Sequence, residues 1–319
     1  MSLLVYSRDP GGTDALTALL LALDNARRHA CLERWYVAQR DHGLWALAKL
    51  PGLEKMRTAG IDVRHWPEAC EPGRLLASRQ TSAVLTSTSD IDDDTDVLLW
   101  QAARARGIPS AAALDSDLNL SVRFASRSGA LVLPDVIACT TAKMADRVSA
   151  SLGIPAERCP VVGDLHHDRM LEQSKTITQA QIASVRRQWS ARTSDRVALF
   201  CSECGEEMRL AGRANDTKEH DAIAQVIGLI SSGEPLGDMQ ISRLVIRPHP
   251  RDREGKYDRY TVASSSLVRV DSRTPAAIAL ASADLVVGIK SAMLDQASLF
   301  AKPVYAWRPN QLERYSCPR

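Results

Sequence analysis

Short unbroken apolar runs alternate along this chain with longer stretches in which apolar residues recur at helical spacing. The runs predict buried strands and the stretches predict helices packed on them. In the first half, strands are expected at 2–7, 35–38, 62–65, 83–86, 110–114, 136–139 and 160–162. A glycine turn should lead to a first helix over 15–28, and two later helices are clearest at 97–106 and 144–152. After Gly163 the pattern gives way to a polar, helix-prone span rich in Thr and Gln, 173–192, the best candidate for a connection between domains. A second series follows, with strands at 196–200, 244–246, 268–270, 285–287 and 304–307 and helices at 221–231, 275–281 and 292–300. Alternation of this kind means parallel sheets covered on both faces. The expected architecture is α/β, with two Rossmann-like parallel-sheet domains, 1–172 and 196–319, joined by 173–195 and facing a cleft.

Composition narrows the class. With 319 residues, 45% apolar and 24% charged, the chain can build a substantial core. A net charge of +2 gives no global pull toward nucleic acid or an anionic membrane. The basic pairs Arg27-Arg28 and Arg186-Arg187 read as solvated helix faces. Ser7, Arg8 and Asp9 interrupt the first apolar run, so no signal peptide is expected, and no run is long enough to span a bilayer. A cytoplasmic location is therefore expected. Seven cysteines, an odd number, suit reduced thiols. Cys201 and Cys204 have metal-like spacing but lack further ligands, and His166-His167 are too close in sequence to face one ion, so no metal is expected.

Two segments carry the candidate chemistry. In 244–250 an apolar strand runs into Arg247-Pro248-His249-Pro250, where prolines stiffen a loop bearing a cation and an imidazole at a strand end, a setting suited to a phosphate. In 283–297 a strand and a turn at Gly288 lead to a helix opened by Lys290 and Ser291, whose free amides, ammonium and hydroxyl could cradle a phosphate. Asp295, one turn on, could accept hydrogen bonds from a ribose diol. Read separately, each segment is also compatible with an ordinary turn or a serine-capped helix. Gly11-Gly12 could let backbone approach a ligand, with Thr13 or Asp14 capping the first helix, but they lack the spacing of a dinucleotide fingerprint or a P-loop. The acidic run Asp90-Ile91-Asp92-Asp93-Asp94-Thr95-Asp96 precedes a helix and reads as capping rather than as a metal site.

Asp9-Pro10-Gly11-Gly12, Phe200-Cys201-Ser202-Glu203, the Arg247–Pro250 loop and the 284–297 segment followed by Ala301-Lys302-Pro303-Val304 together resemble the GT-B fold. The likeness is to bacterial capsule and teichoic-acid-type transferases and nucleotide-sugar 2-epimerases. It implies a C-terminal domain that holds the nucleotide of a UDP-, CDP- or CMP-type donor and an N-terminal domain that offers the acceptor, with no further cofactor. Carried over by position, His249 would contact the donor phosphate, Arg247 would support it, Lys290 and Ser291 would cradle it, and Asp295 would hold the ribose. Lys290 departs from the small or hydroxyl residue expected there. An inverting transfer also needs a base, for which Asp115 and Asp117, after the strand 110–114, are the candidates; Asp-Ser-Asp is equally an ordinary turn. Glu203 could bind donor or acceptor, or join the domains. The reading is a metal-independent glycosyltransferase, against a nucleotide-sugar epimerase or hydrolase, or a catalytically silent nucleotide-binding partner subunit.

Overall fold

The computed structural model describes residues 2–24, 43–68, 70–89, 93–212, 215–309 and 311–316. The chain divides into two compact units, Met1–His166 and His167–Arg319. The first holds β1 (Ser2–Ser7), β2 (Leu44–Ala48), β3 (Val63–His65), β4 (Thr81–Thr86), β5 (Ser110–Ala113) and β6 (Val136–Ala138). Their order in the sheet is β3-β2-β1-β4-β5-β6, with every neighbour parallel. The second holds β7 (Val197–Cys201), β8 (Arg243–Arg247), β9 (Val268–Val270), β10 (Leu285–Gly288), β11 (Val304–Arg308) and β12 (Gln311–Arg314). Its order is β12-β11-β10-β7-β8-β9, parallel except for the antiparallel edge strand β12. Counted from its own first strand, each sheet therefore has the doubly wound order in which strand direction of growth reverses beside that first strand.

Central strands such as β7 and β10 are buried along their whole length, because helices cover both faces and leave no wet side. Separate apolar clusters fill each unit. Around Val5, Leu16 and Met56, and around Trp100, Phe124 and Ile137, they pack the first; around Phe200, Ile223 and Val287, and around Trp189, Leu199 and Val286, they pack the second. The helix Gln179–Gln188, opened by a capping box between Thr178 and Gln181, contributes Val185 to this last cluster.

Several sequence expectations need correction. The first helix starts at Pro10 rather than at 15 and runs to Asp24 within the described residues, so Gly11 and Gly12 lie in its first turn. Pro10 suits that position because the first helical N–H has no intrahelical partner to lose. The Thr13 amide donates to the Asp9 carbonyl at 2.9 Å, and the Thr13 hydroxyl also bonds there at 2.7 Å rather than capping from its own position. Asp14 pairs with Lys55 at 2.5 Å. Leu44–Ala48 is a strand that the pattern does not announce, since Leu and Ala favour helices and its pairing with β1 and β3 sets it. The expected strand 160–162 reduces to a single bridge between Cys139 and Val161. Arg186 is no solvated face: it binds Asp284 at 3.0 Å and the Ser282 carbonyl at 3.0 Å. The expected strand at 35–38 and the Arg27-Arg28 pair lie outside the described residues.

Candidate functional site

In the first unit, the switch point lies between the carboxyl ends of β1 and β4, where doubly wound sheets open a crevice. Buried hydroxyls line it: Ser7 bonds to Thr13 at 2.7 Å and to Ser87 at 2.9 Å. The space beside the two glycines is taken by the protein itself. A Cβ on Gly11 would stand 2.1 Å from Oδ2 of Asp115, and one on Gly12 would stand 2.5 Å from Cβ of Ser87. Asp115 is oriented by the buried guanidinium of Arg123, which donates to its Oδ1 at 2.9 Å, to the Thr88 hydroxyl at 2.7 Å and to the Leu118 carbonyl at 2.9 Å. The other sequence candidate, Asp117, pairs with Arg147 at 3.0 Å and lines a pocket of about 540 Å³ with Asn119, Ser121, Leu131 and Ser151. Two residues apart in sequence, the carboxylates serve different surroundings.

The acidic run also divides its labour. Asp94 holds the N-cap position of the helix Thr95–Arg104 without a side-chain capping bond; the Thr95 amide goes instead to Asp93 at 3.1 Å. Burial raises the Asp93 carboxyl, but hydrogen bonds from Thr95, Lys49 and Tyr6 outweigh it and hold the group below the usual range. Asp96 is buried in the first helical turn, accepting the Ser89 amide at 2.7 Å and the Val97 amide at 2.9 Å. Burial pushes its carboxyl up to about 8, helped by the nearby charges of Asp93 and Asp9. Asp90 and Asp92 lie outside the described residues.

In the second unit, β10 and β8 flank β7, and the three strand ends bring together Glu203, Arg247, His249, Lys290 and Ser291 at the corresponding edge. Arg247 is half-buried and donates to the Thr274 carbonyl at 2.7 Å. The Arg251 amide donates to Nδ1 of His249 at 3.1 Å, which puts the proton of the neutral ring on Nε2 and makes that nitrogen a donor. Ser291 is the N-cap of the helix Ala292–Leu299, taking the Met293 amide on its hydroxyl. Lys290 is exposed, and its 3.4 Å pair with Asp216, whose side chain is 89% exposed, contributes little. Its amide is engaged by the protein: Oε1 of Glu203 accepts it. Burial raises the Glu203 carboxyl, against the Lys290 amide and charge. Asp295 accepts the Tyr315 hydroxyl at 2.7 Å. His166 and His167 are half-buried in the helix Leu165–Thr176, Cys201 is buried at the end of β7, and Cys204 is half-buried beyond it.

Beneath these loops lies a network that the sequence did not reveal. The fully buried ammonium of Lys256 donates to Glu207 at 2.6 Å, Asp252 at 2.7 Å and Glu219 at 3.0 Å. Burial opposes its charge, but the three carboxylates hold it protonated. Oδ2 of Asp252 also accepts the His249 amide at 2.7 Å and the Tyr257 hydroxyl at 2.9 Å, and Tyr257 in turn bonds to the Ser202 hydroxyl. The loops after β7 and β8 are thereby tied to one cation. The only sequence signal was the four-residue spacing of Asp252 and Lys256, which reads as a surface pair. Glu206, Glu219 and His220 have ligand-type atoms within 4.8 Å of one another, but Arg253 at 2.8 Å from Glu206 and Lys256 on Glu219 already supply positive charge there.

This doubly repeated Rossmann order is the fold of the GT-B-type enzymes. Among solved structures, the UDP-GlcNAc 2-epimerase of Neisseria meningitidis bound to UDP-GlcNAc is similar with a TM-score of 0.60 at 13% identity, over 95% of this chain and 81% of that one. A glycosyltransferase from Rickettsia africae is similar with a TM-score of 0.56 at 8% identity, over 95% and 78%. The wall teichoic acid polymerase TagF, solved with CDPG, gives 0.54 at 7% identity, over 96% and 69%. No protein-family model matches the sequence, and no curated protein does.

Proposed function

We propose that this protein is an enzyme that moves a glycosyl or similar group from a nucleotide-activated donor, of the UDP, CDP or CMP type, to a small or polymeric acceptor without needing a metal ion. The observation that carries this reading is the grouping of Arg247, His249, Lys290 and Ser291 on the strand ends flanking β7. In this reading Nε2–H of His249 donates to a donor phosphate, Lys290 neutralises it, the Ser291 end of the helix binds it, and Asp295 takes the ribose. Arg247 braces the loop through Thr274. Asp115, aimed by Arg123, accepts the proton of the acceptor hydroxyl as its oxygen attacks the sugar and the donor phosphate departs. Asp117 and Arg147 bind the acceptor.

A second reading, a nucleotide-sugar epimerase or hydrolase, draws support from the similarity to a UDP-GlcNAc 2-epimerase. The test is product analysis after incubation with UDP-, CDP- and CMP-sugars, with and without a panel of hydroxyl acceptors. Acceptor-dependent release of the nucleotide supports transfer. An epimer or free sugar formed without acceptor supports the second reading.

A further inference from the structure

The amide of Lys290 stands immediately before the Ser291-capped helix Ala292–Leu299, among the donors that an anion would use, and it is occupied by a carboxylate. Oε1 of Glu203 accepts this N–H, so a negative charge from the loop after β7 is lodged where the phosphates of a donor would be drawn. Two anions cannot share one donor in a half-buried site without a severe electrostatic cost. The carboxyl is mostly shielded from water. The charged groups facing it are Lys290, Glu219 on the helix Glu219–Ser232, and Lys256, whose ammonium lies 3.4 Å from the Glu203 carbonyl; Thr217 adds a side-chain hydrogen bond.

We propose that Glu203 is a charge gate on the nucleotide site: its carboxylate holds the Lys290 amide, and a diphosphate gains that amide as the carboxyl takes one proton from solvent. The protonated carboxyl no longer competes as an anion and can donate its O–H to a phosphate oxygen. Binding is thereby linked to proton uptake, and affinity for diphosphates falls as pH rises through the range in which Glu203 ionises. Burial extends that range upward from the usual glutamate range. The inference rests on the nucleotide-binding reading of the second unit and adds to it a determinant of how much negative charge the site admits.

The test is isothermal titration of the whole protein with UDP, CDP and GDP at about pH 6, 7 and 8, in buffers of differing ionisation enthalpy, which reports protons taken up on binding. The wild type should take up a substantial fraction of a proton at one or more of these pH values. Glu203→Gln, which keeps shape and removes charge, should lose the part of the uptake due to Glu203 and bind about tenfold more tightly at the highest pH. The difference in uptake between wild type and Glu203→Gln isolates the Glu203 contribution from that of every other group. Binding by the wild type with no proton uptake overturns the gate and leaves the nucleotide reading standing, even if the Glu203 variant does not fold. Unchanged uptake and affinity in Glu203→Gln does the same. Absence of binding by wild type and variant alike removes the nucleotide reading and the gate with it.

Discussion

Asp115 occupies the volume into which a side chain at Gly11 would grow, with its Oδ2 only 2.1 Å from the Cβ that an alanine would introduce. Gly11→Ala should therefore push the carboxylate off Arg123 or bend the first helical turn. Expected are a stability loss of about 1–3 kcal/mol and a larger loss of turnover than of nucleotide affinity. Chemical denaturation, with turnover and nucleotide titration on the same variant, checks this; wild-type turnover would remove Asp115 from consideration as the base.

Lys256→Met should be among the most destabilising single changes in the second unit, by about 3–5 kcal/mol, because it leaves Asp252, Glu207 and Glu219 buried without their cation. Without the ammonium, burial would favour protonation of the Asp252 and Glu207 carboxyls in the folded state. Stability gained from that protonation is present at low pH and lost as pH rises, so the variant should lie closer to wild type at about pH 5 than at about pH 8. Urea midpoints across that range test the sign.

The Asp96 carboxyl sets a pH dependence of its own. Its folded value is raised from 3.8 to about 8, so the stabilisation from protonation is fully present below 3.8 and is lost progressively as pH rises to about 8. Asp96→Asn, a stand-in for the protonated acid, should flatten this part of the stability profile and should exceed wild type in stability near pH 8. A melting-temperature series for both proteins decides it; parallel profiles would show that Asp96 ionises freely.

His249→Ala and Lys290→Ala should each weaken nucleotide diphosphate binding by about tenfold or more, since each removes a hydrogen bond or charge offered to phosphate. Thermal shifts against UDP, CDP, CMP and GDP, with ATP and NAD as controls, provide the readout. Shifts equal to wild type in both variants would count against the phosphate cradle.

Much of the fold is legible because buried parallel strands need unbroken apolar runs, as at β7 and β10, and helices between them need a 3.6-residue stripe. Leu44–Ala48 escapes this logic because its Leu and Ala content fits a helix equally well, and only pairing with β1 and β3 settles it. The boundary at Pro10 escapes because Gly11 and Gly12 look like a turn until one sees Asp115 and Ser87 packed against them. At the site, the rigid Arg247–Pro250 loop and the Lys290-Ser291 helix start are visible in the chain because proline and a capping serine carry local meaning. The difference between Asp115 and Asp117 is not, since it arises from partners, Arg123 and Arg147, that sequence spacing does not assign. Lys256 reads as solvent-facing because lysine usually is; three carboxylates from separate segments reverse that.

The arrangement around Lys256 has a mechanical side. Ser202, Tyr257, Asp252 and the His249 amide form an unbroken relay of hydrogen bonds across the ends of β7 and β8, pinned from below by one ammonium. Strand ends wired in this way form a single latch: the His249 amide and the Ser202 hydroxyl, next to Glu203, are joined through Asp252 and Tyr257, so neither can be displaced without breaking a bond in that chain.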